Sequence, residues 1–238
     1  VNWAVADVVG IREETPTART LMLRVPDWKG ALAGQHIDIR LTAPDGYQAA
    51  RSYSLSSAAG DPVVAVSVEL MPDGEVSPYL VRGVSVGDQL EVIGPLGGWF
   101  VWRPEQTEPI RMIGGGSGVA PLVSILRTHI ASGNTAPVKL LYSVRSPEFV
   151  YFRDELAELT DAAKAEVTLQ YTRHAPQGWT GTLGRIDAAR ITAWAAGDAP
   201  DASTYICGPT RFVELASDAL VAAGVDPMTI RTERFGGA

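Results

Sequence analysis

The sequence predicts a β + α/β protein: a first half of short antiparallel strands, then a second half folded as a doubly wound parallel sheet with helices. Three observations predict it. Residues 1 to about 100 carry alternating or nearly alternating apolar runs, punctuated by clusters such as Pro44-Asp45-Gly46 and Pro72-Asp73-Gly74, the rhythm of a sandwich or barrel. From about Pro109 apolar strands alternate with helical segments, the rhythm of a parallel sheet. Between them Trp102-Arg103-Pro104-Glu105-Gln106-Thr107-Glu108 is polar and reads as a linker, which sets domains at 1–102 and 109–238.

In the first half the predicted strands are Thr20 to Val25, His36 to Leu41, Val63 to Leu70 and Gln89 to Ile93. Arg51-Ser52-Tyr53-Ser54-Leu55-Ser56-Ser57 is a further extended run. A strand sends successive side chains to opposite faces, so Arg51, Tyr53 and Leu55 share one face and Ser52, Ser54 and Ser56 the other. A short helix is expected from Ser77 to Val81, with Ser77 as N-cap and Pro78 at the first helical position. In the second half, the strand Ile110 to Ile113 leads to a helix through Leu122 to Leu126. The strand Val138 to Tyr142 leads to a helix around Arg153 to Leu156. Val167 to Tyr171 is a third strand, and Thr204 to Cys207 a fourth, followed by a helix over Phe212 to Ala216. No internal repeat or low-complexity segment interrupts this order.

Composition narrows the function. Of 238 residues 46% are apolar and 20% charged, so the chain can bury a core. A net charge of −7 argues against nucleic acid as the main partner, since phosphate backbones need a basic footprint. The single cysteine, Cys207, excludes a four-thiolate iron–sulfur cluster or an internal disulfide. His36, His129 and His174 lack metal-ligand spacing and read as surface or loop residues. No apolar run approaches the ~20 residues of a bilayer span. The start, Val1 to Asp7, lacks the basic and apolar regions of a secretory leader, so a reducing cytoplasm is the expected compartment.

Two motifs carry chemistry. Arg51 offers a planar fork of donors matched to phosphate, and Tyr53 a ring for stacking; a flat aromatic ligand joined to phosphate suits both. Gly114-Gly115-Gly116-Ser117-Gly118-Val119-Ala120-Pro121 follows a strand and opens a helix. Such a loop lets a pyrophosphate approach the backbone and the positive end of the helix dipole. No Lys follows the glycines, so it is not a nucleoside-triphosphate loop.

Taken in order, Arg51-x-Tyr53-Ser54, Gly74-Glu75-Val76-Ser77-Pro78-Tyr79-Leu80, Gly94-Pro95-Leu96-Gly97, the Gly114–Pro121 loop, Cys207-Gly208-Pro209 and Glu233-Arg234-Phe235 resemble the ferredoxin–NADP reductase superfamily across nearly the whole chain. The tail, Ile230 to Ala238, resembles the reductase components of bacterial oxygenases. The sequence given ends where many of those carry a plant-type iron–sulfur domain.

The resemblance implies a six-stranded antiparallel flavin-binding β-barrel followed by a nucleotide-binding α/β domain. Arg51 would bind the flavin phosphate or pyrophosphate, with Ser52 beside it on the cofactor-binding strand, Tyr53 would pack on the isoalloxazine, and Ser54 would hydrogen-bond near its N5 edge. Val68 and Glu69 would contact the flavin through their backbone. Gly74, Glu75, Val76 and Ser77 would hold pyrophosphate, Val76 serving equally as core. Gly115, Gly116, Ser117, Gly118 and Pro121 would hold the nicotinamide dinucleotide, with Cys207, Gly208 and Pro209 beside the nicotinamide. Cys207 would position the ring without covalent bonding; alone, a strand cysteine reads as a small buried hydrophobe, and it is the following Gly208-Pro209 that turns the reading to the active site. Phe235 would cover the pocket with Glu233 near it, making Ser54, Cys207 and Glu233 the catalytic set. Ser143, Arg145, Thr172 and Arg173 end two strands near the adenosine and favour a 2′-phosphate, hence NADPH over NADH, although Arg145 could instead pair with Glu148. FAD is expected over FMN. The implied activity is reduction of bound FAD by NADPH or NADH, with electrons passing to a separate ferredoxin or metal-containing partner protein. The alternative is an NAD(P)H:flavin reductase acting on free flavin. No metal site is expected.

Overall fold

The computed structural model describes residues 2–236. Val1, part of the Val1 to Asp7 segment compared above with a secretory leader, and Gly237 and Ala238 of the tail motif lie outside the described residues. The first sheet contains β1 (Ala4–Thr15), β2 (Ala18–Arg24), β3 (His36–Thr42), β4 (Gln48–Ser54), β5 (Val64–Glu69) and β6 (Gln89–Leu96). All its pairings are antiparallel, in the order β4-β3-β6-β1-β2-β5. The sheet curls until its two edges meet, where Leu55 bridges Val66 and the Ser56 N–H donates to the Ala65 carbonyl at 2.8 Å. Alternate residues such as Leu21, Leu23, Ile37, Ile39, Val66, Val68, Leu90 and Val92 fill the interior, as a half-buried strand requires. The helix α1 (Ser77–Arg82) adds Leu80 and Val81 to that core.

The second sheet contains β7 (Ile110–Gly115), β8 (Val138–Val144), β9 (Glu166–Tyr171), β10 (Ser203–Pro209) and β11 (Ile230–Phe235), all parallel, in the order β11-β10-β7-β8-β9. Helices α2 (Val119–Ala131) and α3 (Arg153–Asp161) pack in one core with Met112, Leu140 and Tyr205. Helices α4 (Ala188–Ala195) and α5 (Thr210–Ala222) pack in another with Ile113, Leu141 and Ile206. Neighbouring residues of one strand thus serve opposite faces, the expected double winding. No helix among the described residues is long and apolar enough to cross a membrane.

Several expectations need correction. The polar linker begins after Trp102, because Trp102 is only 1% exposed and its N–H donates to the Ala33 carbonyl at 3.0 Å. With Phe100, Ala18 and Ala33 it joins the core of the second half. Burying a ring of that size contributes about 4–6 kcal/mol before entropy is charged, so the two halves are packed together rather than tethered. Ser77 does not cap α1: Val76 is the N-cap residue, and the Ser77 hydroxyl accepts from the Met71 N–H at 3.0 Å. His129 is neither a surface nor a loop residue; it is buried within α2. The Arg51 run is strand only to Ser54. β1, α4 and the strand character of the tail were not anticipated.

One helix joins the halves through hydrogen bonds as well as packing. Ser124, Arg127 and Thr128 share a face of α2 at helical spacing. Ser124 Oγ donates to the Ser57 carbonyl at 2.6 Å, and an Arg127 N–H donates to the Ser56 carbonyl. Thr128 Oγ1 accepts from the Ala59 N–H at 2.8 Å. The chain leaving β4 is therefore bolted to the helix that the glycine loop opens.

Candidate active site

A cavity of about 740 Å³ lies between the halves. The barrel contributes Arg51, Ser52, Tyr53 and Ser54 from β4, Glu69 from β5, and Gly74, Glu75, Val76 and Ser77 at the start of α1. The second half contributes Gly115, Gly116 and Ser117, then Ser143 and Arg145, Thr172, Pro209 and Phe235. Residues separated by more than 150 positions thus meet because the carboxyl ends of β7, β8, β9 and β10 face the open side of the barrel, where doubly wound sheets bind ligands. Met71, Phe149, Tyr151 and Phe212 also line it and were missed. Only Phe212 carried a local signal, its place in the first turn of the helix after Cys207-Gly208-Pro209. Val68, Gly118, Pro121, Cys207 and Gly208 lie behind this lining, and Arg173 is exposed outside it.

The barrel side suits a flavin. Tyr53 presents a half-buried ring whose hydroxyl pKa is pushed up to about 12 by burial, against a smaller opposing effect of Arg51. It is a neutral stacking surface. Arg51 pairs with Glu75, and the Tyr47 hydroxyl donates to the same carboxylate at 2.5 Å. These donors hold the Glu75 carboxyl below its ordinary range, the Tyr47 bond contributing most. A flavin phosphate reaching Arg51 must therefore share or displace a carboxylate. Beyond Val66 no strand covers the outer edge of β5 among the described residues, which leaves backbone groups at Val68 and Glu69 for a ligand, as expected. Val76 is fully buried, which makes its side chain core.

The second half suits a pyrophosphate. Gly116 has φ +56° and no heavy atom within 4 Å of where a Cβ would stand, so the backbone there is open to the cavity. Gly118 has the opposite reason: a Cβ would lie 2.3 Å from the Cys207 carbonyl oxygen. That contact seats the start of α2 on β10, and no acidic side chain occupies the first turn. The Val119 N–H donates back to the Gly116 and Ser117 carbonyls and Pro121 has no N–H, so what the helix start offers an anion is the positive end of its dipole behind the glycine turn.

Across the middle, Ser54 Oγ donates to Glu233 Oε2 at 3.3 Å, joining β4 to β11. Glu233 stands beside Cys207 in the parallel register of β10 and β11. His36, cross-strand neighbour of Ser54, brings Nδ1 to 3.8 Å from Glu233 Oε1. Burial pushes the Glu233 carboxyl up to about 7, opposed by the Ser54 bond. Burial also raises the Cys207 thiol, and the Glu233 charge adds to that. Cys207 is thus a neutral thiol and not a nucleophile. The three residues expected to be catalytic are brought together, with Cys207 behind the cavity wall.

Arg145 does not pair with Glu148, which instead accepts from the Ser146 hydroxyl at 2.7 Å. Its guanidinium lies 4.4 Å from the centre of the Phe149 ring, and Nη2 is 3.5 Å from Glu69 Oε1 in the other half. The ends of β8 and β9 are zipped by Thr172 N–H to Val144 carbonyl at 2.8 Å and Arg173 N–H to Arg145 carbonyl at 2.9 Å.

The model of the oxidoreductase FAD-binding domain matches residues 7–101, and that of the oxidoreductase NAD-binding domain matches residues 112–218. Ferredoxin--NADP reductase B of Sorangium cellulosum is 34% identical, with 97% of this chain aligned to 96% of that protein. The chain belongs to the ferredoxin–NADP reductase family. It is an FAD- and NAD(P)-binding flavoprotein reductase. NADH-cytochrome b5 reductase 1 of Pyricularia oryzae is 32% identical over 82% of the chain, which spans 65% of that relative's length. Among solved structures, the flavohem-like FAD/NAD binding domain of nitric oxide dioxygenase from Vibrio cholerae superposes with a TM-score of 0.85 at 26% identity. That alignment covers 98% of this reductase and 99% of that domain.

Proposed function

We propose that this reductase takes electrons from NADPH, and from NADH less well, and passes them to a separate ferredoxin or metal-containing protein. The observation that carries the reading is the single cavity in which the Arg51–Ser54 strand faces Gly115–Ser117, Pro209 and Phe235. Residues 1–102 act as the flavin half and 109–238 as the nucleotide half. FAD, when bound, would accept a hydride from the nicotinamide and release electrons singly, chemistry that no side chain here can supply.

The chain's residues bind, orient and exclude water. Arg51 and the turn at Gly74 to Ser77 would take the flavin phosphates, and Tyr53 and Phe235 would offer the flat surfaces. The free edge at Val68 and Glu69 would hold the flavin through backbone groups. Gly115 to Pro121 holds the dinucleotide, and Cys207-Gly208-Pro209 forms the wall against its nicotinamide. Ser54 and Glu233 hold a proton between the halves, since a carboxyl near 7 exchanges it readily around neutral pH. Ser143, Arg145 and Thr172 receive the adenosine ribose. The acceptor is a protein carrying its own metal centre; the two relatives above are named for ferredoxin and cytochrome b5.

The Arg51–Glu75 pair favours one competing reading, weak flavin binding as in a reductase of free flavin. Purification separates the two. A retained cofactor gives a yellow protein that bleaches anaerobically on adding NADPH and recovers on adding an oxidised ferredoxin. A colourless protein that takes up neither FAD nor FMN refutes the proposal.

A further inference from the structure

Glu69 was expected to contribute backbone only, yet its side chain reaches across to the nucleotide half. Oε1 accepts from Thr17 Oγ1 at 2.6 Å and lies 3.5 Å from Arg145 Nη2, while Oε2 accepts from the Tyr151 hydroxyl. Thr17 belongs to the barrel and Tyr151 to the segment before α3, so one hydroxyl from each half pins the carboxylate. On its other side the Arg145 guanidinium lies over the Phe149 ring. Its backbone carbonyl accepts from both Arg173 and His174, which ties it to the joined ends of β8 and β9.

We propose that Glu69 is a coenzyme-specificity residue: by pairing with Arg145 across the two halves it weakens the grip on a 2′-phosphate and narrows the preference for NADPH over NADH. The inference rests on the reading above that the ends of β8 and β9 receive the adenosine ribose. A dianionic 2′-phosphate approaching Arg145 meets a guanidinium whose charge is already compensated, and a carboxylate within the ~8 Å over which salt leaves charges unscreened. The uncharged 2′-hydroxyl of NADH is indifferent to both. Glu69 cannot swing aside cheaply, because leaving would strand the two hydroxyls that donate to it. The cavity's other charged groups, Arg51 and Glu75, are paired with each other and act on both coenzymes alike.

The test uses the FAD-loaded protein and two fragments that differ only in the group at issue, 2′,5′-ADP and 5′-AMP. Dissociation constants are measured by calorimetry for wild type, Glu69→Gln, Arg145→Ala and the double variant. Glu69→Gln, whose amide oxygen can accept from one of the two hydroxyls while its amide N–H donates to the other after that hydroxyl turns, is expected to tighten 2′,5′-ADP about fivefold, the effect of removing one partly exposed charge pair. It should leave 5′-AMP unchanged, and the gain should vanish in the double variant. Equal change for both fragments, or for neither, overturns the inference. If Glu69→Gln loses its flavin, Arg145→Ala alone decides: a selective loss for 2′,5′-ADP below about fivefold supports a compensated cation. A loss far above that, or none, overturns it. The functional proposal fails separately, through absence of flavin or of bleaching by NADPH in the wild type.

Discussion

Replacing Glu233 by Gln removes an ionisation from the seam between β4 and β11, and the structure sets the sign and size of the effect. Burial lifts the Glu233 carboxyl from 4.5 to about 7. An acid raised on folding binds its proton more tightly in the native state than in the open chain. Its contribution is intact below about 4.5 and is lost as pH rises through about 7. Above that, ionised Glu233 costs the native state about 3 kcal/mol relative to the unfolded chain. Its Ser54 bond is already counted in that balance, since it opposes the shift. Gln preserves the shape and can still accept from Ser54, but never ionises. The variant's advantage should be smallest at the acid end, near pH 5, and grow to about 6–12 °C in Tm by pH 8.5 for a chain of this length. The assay is thermal unfolding of both FAD-loaded proteins across pH 5 to 9. A difference independent of pH, or one favouring wild type at high pH, refutes the assignment of a buried, proton-holding carboxyl.

Two further outcomes follow from buried charge elsewhere. Asp198 accepts from the buried Arg111 at 2.7 Å and also pairs with Lys139; Asp198→Ala should cost about 3–5 kcal/mol by stranding Arg111, read by urea unfolding, while the coenzyme dissociation constants stay unchanged. His129 is buried against Trp102, with ring centroids 5.5 Å apart, and desolvation lowers its pKa. Stability should therefore fall as pH drops below about 6.5, and His129→Leu should flatten that slope in unfolding curves taken from pH 7 to 5.

What was legible in the sequence was local chemistry. Arg51 to Ser54, Gly114 to Pro121 and Cys207 to Pro209 each combine a strand with a turn or helix start, so residue type and neighbouring rhythm agree. β1 was not legible because register shifts between Val8 and Gly10 and between Glu13 and Thr15 break its alternation. The tail hid a strand because only Ile230 among the residues of β11 is buried, and edge strands need not alternate. Trp102 was lost in the polar run that follows it. Ser77 sat where a cap belongs, yet its hydroxyl found Met71 in the preceding turn. The contacts built between the halves had no local signal: Glu69 with Tyr151, 82 positions apart, was missed, and Ser54 with Glu233, 179 apart, was grouped only through the family resemblance. No local pattern encodes such pairs.

Those long-range contacts also explain how two independently built sites keep a fixed separation. α2 begins at the glycine turn, with Gly118 pressed on the Cys207 carbonyl, and one to three turns later its Ser124, Arg127 and Thr128 grip the backbone at Ser56, Ser57 and Ala59. Ser54 lies two residues before that grip. A single rigid helix, with a rise of about 1.5 Å per residue, therefore measures the distance from the Gly114–Pro121 loop to the Arg51–Ser54 strand. Phe100 against Tyr205 and Trp102 against His129 stiffen the same seam. Hydride transfer tolerates little slack between donor and acceptor, and in this fold that tolerance is met by one helix packed against both halves, with the Ser54–Glu233 bond closing the opposite side of the gap.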